Sequence, residues 1–286
     1  PRQFPQPLWR GQPLDGARIL LHAEQGLGDT IQFLRYLPMV QAAGGSVVLC
    51  LPTRLRRIAR LLPGVEALVT TGDPLPPFDW QIPLMSLPLA FSTTLESIPA
   101  RVPYLSIPDE AARTASRLVW PATGLRVGIV WAGSPSHAKD RFRSMNFTYL
   151  IPLLRMEGVH FFSLQMGHAS RQLADAPCVV VDLAPFTSDL ADTAAQMAHL
   201  DLVITVDTAI AHLAGALAVP VWTLLGYAAD WRWLLNRDDS PWYPTMRLFR
   251  QPCLGNWRAV MESVRTALKE RATDPVYSSR RVAVAC

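Results

Sequence analysis

ARILLHAEQGLGDTIQFLRYLPMVQAAGGSVVLCL, residues 17–51, decides the architecture. Its two ends, ARILLHA (17–23) and SVVLCL (46–51), are short runs rich in Val, Ile and Leu, apolar at successive positions, which is how a strand buried on both faces reads. Between them EQGLGDT makes a glycine turn that opens a helix predicted from Asp29 to about Ala43. Strand, helix, strand in that order is the repeating unit of a parallel sheet with helices above and below.

Outward from this unit the alternation continues. TRLRRIARLL (53–62) reads as helix, VEALVT (65–70) as strand, DWQIPL near Trp80 as strand, and a helix over 108–118 begins after Pro108. WPATG (120–124) marks a boundary. A second series runs through RVGIVWAG (126–133), a helix at 147–156, strands HFFSLQ (160–165) and CVVVDL (178–183), and a helix at 188–199. It closes with strand DLVITV (201–206), a helix at 208–218, strand VPVWTLL (219–225) and a helix at 256–270. The expectation is an α/β protein with two Rossmann-like doubly wound domains, 17–120 and 121–270, between a linker (1–16) and a flexible tail (271–286). Ligands of such sheets bind beyond the carboxyl ends of the strands, so two facing sheets form one cleft.

Composition excludes several classes. With 286 residues, 50% apolar and 17% charged, the chain is not a disordered polar one. A net charge of +4 with no basic run beyond Arg56-Arg57 suits an anionic ligand but not nucleic acid. The four cysteines, Cys50, Cys178, Cys253 and Cys286, form neither a disulfide framework nor a C-x-x-C zinc pair. No apolar run reaches membrane-spanning length and no export signal precedes Ala17, so the expected location is the cytoplasm. The chain begins at Pro1 with four prolines in its first fourteen residues, as a linker within a longer polypeptide would.

Three strand-to-helix turns carry the chemistry. In EQGLGDT, Gly26 and Gly28 are expected to let the backbone approach a ligand and to take positive φ, while Asp29 either caps a helix beginning at Thr30 or serves as a base. The two roles are compatible, because a helix start keeps a carboxylate ionised. Glu24 and His22 compete for the role of base. The turn is not a dinucleotide fingerprint, since Ile31 stands where a third glycine belongs and the second strand ends at Cys50-Leu51-Pro52 with no acidic residue to hold a ribose.

After RVGIVWAG, the loop SPSHAKDRFRS presents Gly133, Ser134, Lys139, Arg141 and Arg143, a set that suits a diphosphate; a solvated basic loop partly neutralised by Asp140 is the plainer reading. In VDTAIAHLAGAL, Asp207 is placed at the cap, Thr208 in the first turn, and His212 four residues on along the same face. That helix is too apolar to be exposed, so its polar start must face a cavity or a partner; His212 is either a satisfied core histidine or, with Thr208 pointing the same way, a proton donor to a diphosphate. No P-loop, no G-x-S-x-G elbow and no D-x-D pair is present, so no metal is expected and the diphosphate's charge falls to cations and amides.

Four ordered segments, HAEQGLGDTIQFLRYLP (22–38), VGIVWAGSPSHAKDRFRSM (127–145), VITVDTAIAHLAGALAVPVW (203–222) and DWRWLLNRDDSPWYPTMRLFRQ (230–251), resemble the heptosyltransferase-like glycosyltransferases of family nine. Within that family they resemble the bacterial branch that follows tetratricopeptide repeats. The resemblance spans Trp9 to about Lys269 and implies a GT-B fold, two Rossmann-like domains facing across a cleft, and metal-independent inverting transfer from a nucleotide-diphospho-sugar without any other cofactor. It implies a glycan, lipid-linked or protein acceptor and upstream tetratricopeptide repeats as a partner. By position, Asp29 matches the family's proposed base, Gly26 and Gly28 its loop glycines, Ser134 and Lys139 its phosphate loop, and Asp207, Thr208 and His212 its diphosphate-gripping segment. Asp140-Arg141 replaces the tryptophan-proline that usually follows that lysine, so a heptose donor is not implied. The tryptophan-rich segment around Arg232 and Arg237 reads as a packed connector in preference to a stacking surface. The alternative from another class is a nucleotide-sugar-binding or scaffold module without catalysis.

Overall fold

The computed structural model describes residues 4–274. Ten strands are found among them: β1 (Arg18–His22), β2 (Ser46–Leu51), β3 (Val65–Thr70), β4 (Trp80–Pro83), β5 (Leu125–Val130), β6 (Val159–Ser163), β7 (Val181–Asp182), β8 (Leu202–Val206), β9 (Val221–Leu225) and β10 (Met246–Arg250). The helices are α1 (Leu27–Phe33), α2 (Leu37–Ala42), α3 (Arg56–Ala59), α4 (Leu87–Ala90), α5 (Asp109–Ser116), α6 (Asp140–Arg143), α7 (Ile151–Leu154), α8 (Leu190–Met197), α9 (Ala209–Ala216) and α10 (Trp257–Ala272).

The strands fall into two sheets, ordered β3-β2-β1-β4 and β10-β9-β8-β5-β6-β7, and every pairing between them is parallel. Counted from β5, the second order is 3-2-1-4-5-6, the doubly wound pattern, and its direction reverses between β5 and β8. The first sheet reverses likewise between β1 and β4. Continuous burial of β2, β5, β8 and β9 shows why their sequences carry no polar alternation: helices cover both faces.

Several details differ from expectation. The first helix starts at Leu27, breaks into a 3-10 turn at Leu34–Tyr36 and resumes as α2, where Pro38 sits in the first turn with no amide to lose. The helix read at 53–62 contracts to a 3-10 turn plus α3. β10 was not anticipated, because MRLFR interleaves arginines with apolar residues and Arg247 points to solvent. The presumed linker is packed: the Trp9 amide bonds the Gln81 carbonyl at 2.9 Å, the Leu14 amide bonds the Ala43 carbonyl at 2.9 Å, and both side chains are buried. The prolines there restrict a segment that runs along β4. The expected tail lies outside the described residues from 275 onward, and its start belongs to α10.

The halves meet along a buried seam where α1 packs on α9. Arg35 lies in it, 4% exposed, with Nη1 donating to the Trp242 carbonyl at 2.6 Å and Nε to the Gln32 carbonyl at 2.9 Å. Its guanidinium carbon lies 4.6 Å from the Tyr243 ring centre and 4.9 Å from that of Tyr104. Among the described residues no helix is long and apolar enough to cross a membrane.

Candidate active site

A cleft of about 1100 Å³ opens where the carboxyl ends of β1, β5, β8 and β9 converge, and the three sequence-selected turns line it together. Gly26, Gly28, Asp29, Gly133, Ser134, Lys139, Arg143, Asp207, Thr208 and His212 all contribute to its walls. Arg141 does not: it is exposed, with its guanidinium carbon 4.5 Å from the Phe142 ring centre. Phe142 lines the wall in its place.

The first turn departs from expectation in its cap. Gly26 is the N-cap of α1, and Asp29, three residues in, accepts the Gly26 amide on Oδ2 at 2.9 Å. Gly26 has φ −73°, and neither it nor Gly28 takes a positive φ. Gly28 is needed for packing: a Cβ there would lie 2.7 Å from Cδ2 of His212 on α9. His22 is excluded as a base, being buried with Nε2 3.1 Å from Gln81 Oε1 and its ring against Phe4. Partial burial and the charge of Asp29 raise the pKa of Glu24, but Glu24 lies outside the cleft wall.

Arg232 joins the first turn to the third. Its Nη2 donates to Asp29 Oδ1 at 2.5 Å, its Nε to Asp230 at 2.8 Å, and its Nη1 lies 3.3 Å from His212 Nε2. Burial opposes its charge, yet Asp29 and Asp230 outweigh that and hold its pKa above the usual value. A guanidinium can only donate, so His212 Nε2 accepts and the ring proton sits on Nδ1, 2.9 Å from the Tyr243 hydroxyl. Burial, then Arg232, pushes the His212 pKa well below the ordinary range, so this ring is neutral. With Nδ1 turned to Tyr243 and Nε2 to Arg232, neither ring nitrogen is left to donate to a diphosphate as the sequence suggested. Burial raises the carboxyl pKa of Asp207, with the Trp233 indole and Arg232 pulling the other way.

Thr208, not Asp207, caps α9: its Oγ1 accepts the Ile210 amide at 3.3 Å and lies 3.2 Å from Thr205 Oγ1. Its hydroxyl is thus already engaged. Ala209, the first residue of α9, lines the cleft beside it.

The basic loop is ordered from beneath by Gln165. This buried side chain accepts the Trp131 and Ala132 amides at 3.0 and 2.9 Å and donates to the Ala132 and Met166 carbonyls, both at 3.0 Å. Gly133 donates to Ser144 Oγ at 2.8 Å, and a Cβ on it would strike the Asp140–Arg143 pair, so here too the glycine makes room for protein. Arg143 Nη1 donates to the Asp207 carbonyl at 3.0 Å, tying the second turn to the third. Ser134 Oγ lies 2.8 Å from Ser136 Oγ. Lys139 is exposed and forms no ion pair among the described residues.

Arg232 and Gln165 are the site residues that sequence reading missed. The packed-connector reading of the tryptophan-rich segment holds for Trp233 and Trp242, which are buried, and for Arg237, paired outward with Asp239. It fails at Arg232, whose partner Asp29 lies 203 residues away.

The family described as "Glycosyltransferase family 9 (heptosyltransferase)" matches residues 115–252. Protein FlbA of Caulobacter vibrioides is 32% identical over 300 residues, taking in 94% of this chain and 49% of FlbA, so the chain spans about half the length of that relative. Among solved structures, the Escherichia coli ADP-heptose lipopolysaccharide heptosyltransferase II aligns at TM-score 0.60 and 14% identity, over 89% of this chain and all of that one. A family 9 glycosyl transferase from Veillonella parvula aligns at TM-score 0.63 and 13% identity, over 94% of each. The likeness to the two structures is one of fold: the chain is an α/β protein of the GT-B type. Over residues 115–252 the chain is similar to the glycosyltransferases of that family.

Proposed function

We propose that this chain transfers a sugar, with inversion and without a metal ion, from a nucleotide-diphospho-sugar to a hydroxyl of a glycan, lipid-linked or protein acceptor. The observation that carries the reading is one cleft between two sheets with Asp29 on the first half and Lys139, Arg143 and the start of α9 on the second. The second half takes the donor. Lys139 and Arg143 meet the departing diphosphate with charge-assisted hydrogen bonds, and Asp29 takes the acceptor's proton as its oxygen attacks the anomeric carbon. His212, neutral and bonded on both ring nitrogens, holds Arg232 and Tyr243 in place instead of touching phosphate. Tetratricopeptide repeats upstream and a cytoplasmic location, where nucleotide-sugars are made, complete the proposal.

The second reading, a nucleotide-sugar-binding or scaffold module, has one observation in its favour: both Asp29 oxygens are bonded. Calorimetry with UDP, GDP and ADP, followed by donor-hydrolysis and transfer assays against a bacterial lysate, separates the two. Binding with turnover supports the transferase, binding alone leaves the module, and no binding by any of the three removes both.

A further inference from the structure

Arg232 stands between the two halves of this chemistry. It holds Oδ1 of Asp29 through Nη2 and Asp230 through Nε, and it lines the same cleft as Lys139 and Arg143. Asp29 has its other oxygen on the Gly26 amide. A carboxylate engaged at both oxygens, one of them by a guanidinium, has fewer lone pairs open to an incoming hydroxyl. A diphosphate carries more charge than a carboxylate and presents the same paired-oxygen geometry to a guanidinium.

We infer that Asp29 and the donor's diphosphate compete for Arg232, so that donor binding draws Nη2 off Oδ1 and releases the base; this rests on reading the cleft as a diphosphate site. Asp230 keeps Nε as the pivot. The acceptor's hydroxyl proton then passes to Asp29 Oδ1 while its oxygen bonds to the anomeric carbon. The bond from that carbon to the diphosphate breaks, and its electron pair stays on the diphosphate, now beside Arg232. Arg232 is a positioning residue for Asp29, and the order of events is donor before acceptor chemistry.

Competition has a sign that mere support lacks. Calorimetry on the whole chain with inorganic pyrophosphate, ADP, GDP and UDP compares the natural protein with Asp29→Asn, Arg232→Gln and the double variant. We expect Asp29→Asn to bind pyrophosphate about tenfold more tightly and Arg232→Gln about tenfold more weakly, the size of one charge-assisted contact. Adding Asp29→Asn to Arg232→Gln should give no further tightening. Equal tightening on both backgrounds would mean plain charge repulsion, and weaker binding by Asp29→Asn would mean support; either overturns the inference. A readout independent of the Arg232 variants is the Asp29 carboxyl carbon in ¹³C-aspartate-labelled protein, assigned with Asp29→Asn. It should shift on titration with pyrophosphate, and a stationary signal under saturation overturns the competition. If none of the four probes binds, the functional reading falls and takes this inference with it; binding without coupling removes the coupling alone.

Discussion

The turn from β1 into α1 and the turn from β8 into α9 are built alike and charged differently. Each ends a buried parallel strand, opens a helix toward the cleft, and packs its helix on the other across the seam. The first is capped by a glycine and reaches outward with a carboxylate, which holds an arginine from the opposite half. The second satisfies itself, Thr208 capping its own helix, and presents a neutral histidine held on both sides. A shared strand-turn-helix geometry therefore sets where groups stand, while the cap residue and the partner across the seam set their charge. In the proposed reaction, the base belongs to the turn that lends its carboxylate outward.

The largest test of this asymmetry is Asp29→Asn, expected to lower transfer by about a hundredfold or more while nucleoside diphosphate binding tightens. Transfer rates beside calorimetry check it, and unchanged turnover would give the base to another group. Next comes the packing that lets the two turns meet. Gly28→Ala gains about 1 kcal/mol of helix propensity, but its Cβ would lie 2.7 Å from a His212 ring fixed by Arg232 and Tyr243. A net loss of about 1–2 kcal/mol follows from overpacking, seen as a lower melting temperature. Gly26→Ala, which meets only Asp29 Oδ2 at 3.1 Å, should lose less.

Lys139→Ala should weaken pyrophosphate binding by about tenfold without changing the melting temperature, since it removes one exposed charge-assisted contact. Arg141→Ala, two residues on and off the cleft wall, should leave binding unchanged in the same assay.

The smallest effect is one of pH. His212 is held neutral below the pH at which it would protonate in the unfolded chain, so the unfolded state takes up a proton first as pH falls below about 6.5. Stability then drops by up to about 1.4 kcal/mol per pH unit from this group. His199, half-buried, adds in the same direction. Urea unfolding at pH 7.5 and 5.5 should show the drop, reduced in His212→Gln; equal slopes would place the ring in water.

Strands with neighbours on both sides were among the legible elements, because burial on both faces removes polar residues from the sequence: β2 lies where SVVLCL placed it and β8 within one residue of DLVITV. β10, at a sheet edge with Arg247 in solvent, carried no such run. The turn residues were legible as a set, since three strand ends followed by small and polar residues must meet where parallel strands end. Their individual duties were not. Gly28 looks like a ligand-approach glycine until His212 is seen beside it, and Arg232 has no local partner that would distinguish it from Arg237. What sequence cannot display is a contact made across 203 residues.

The seam has a mechanical consequence. Arg35 reaches from the first half to the Trp242 carbonyl of the second under a roof of three aromatic rings. Drawing the halves apart there would break the hydrogen bond from Arg35 to the Trp242 carbonyl and its contacts with the Trp242 and Tyr243 rings, contacts worth about 1–3 kcal/mol each. The joint is built as a clasp: one buried cation is gripped by a carbonyl from each half and by rings that close over it.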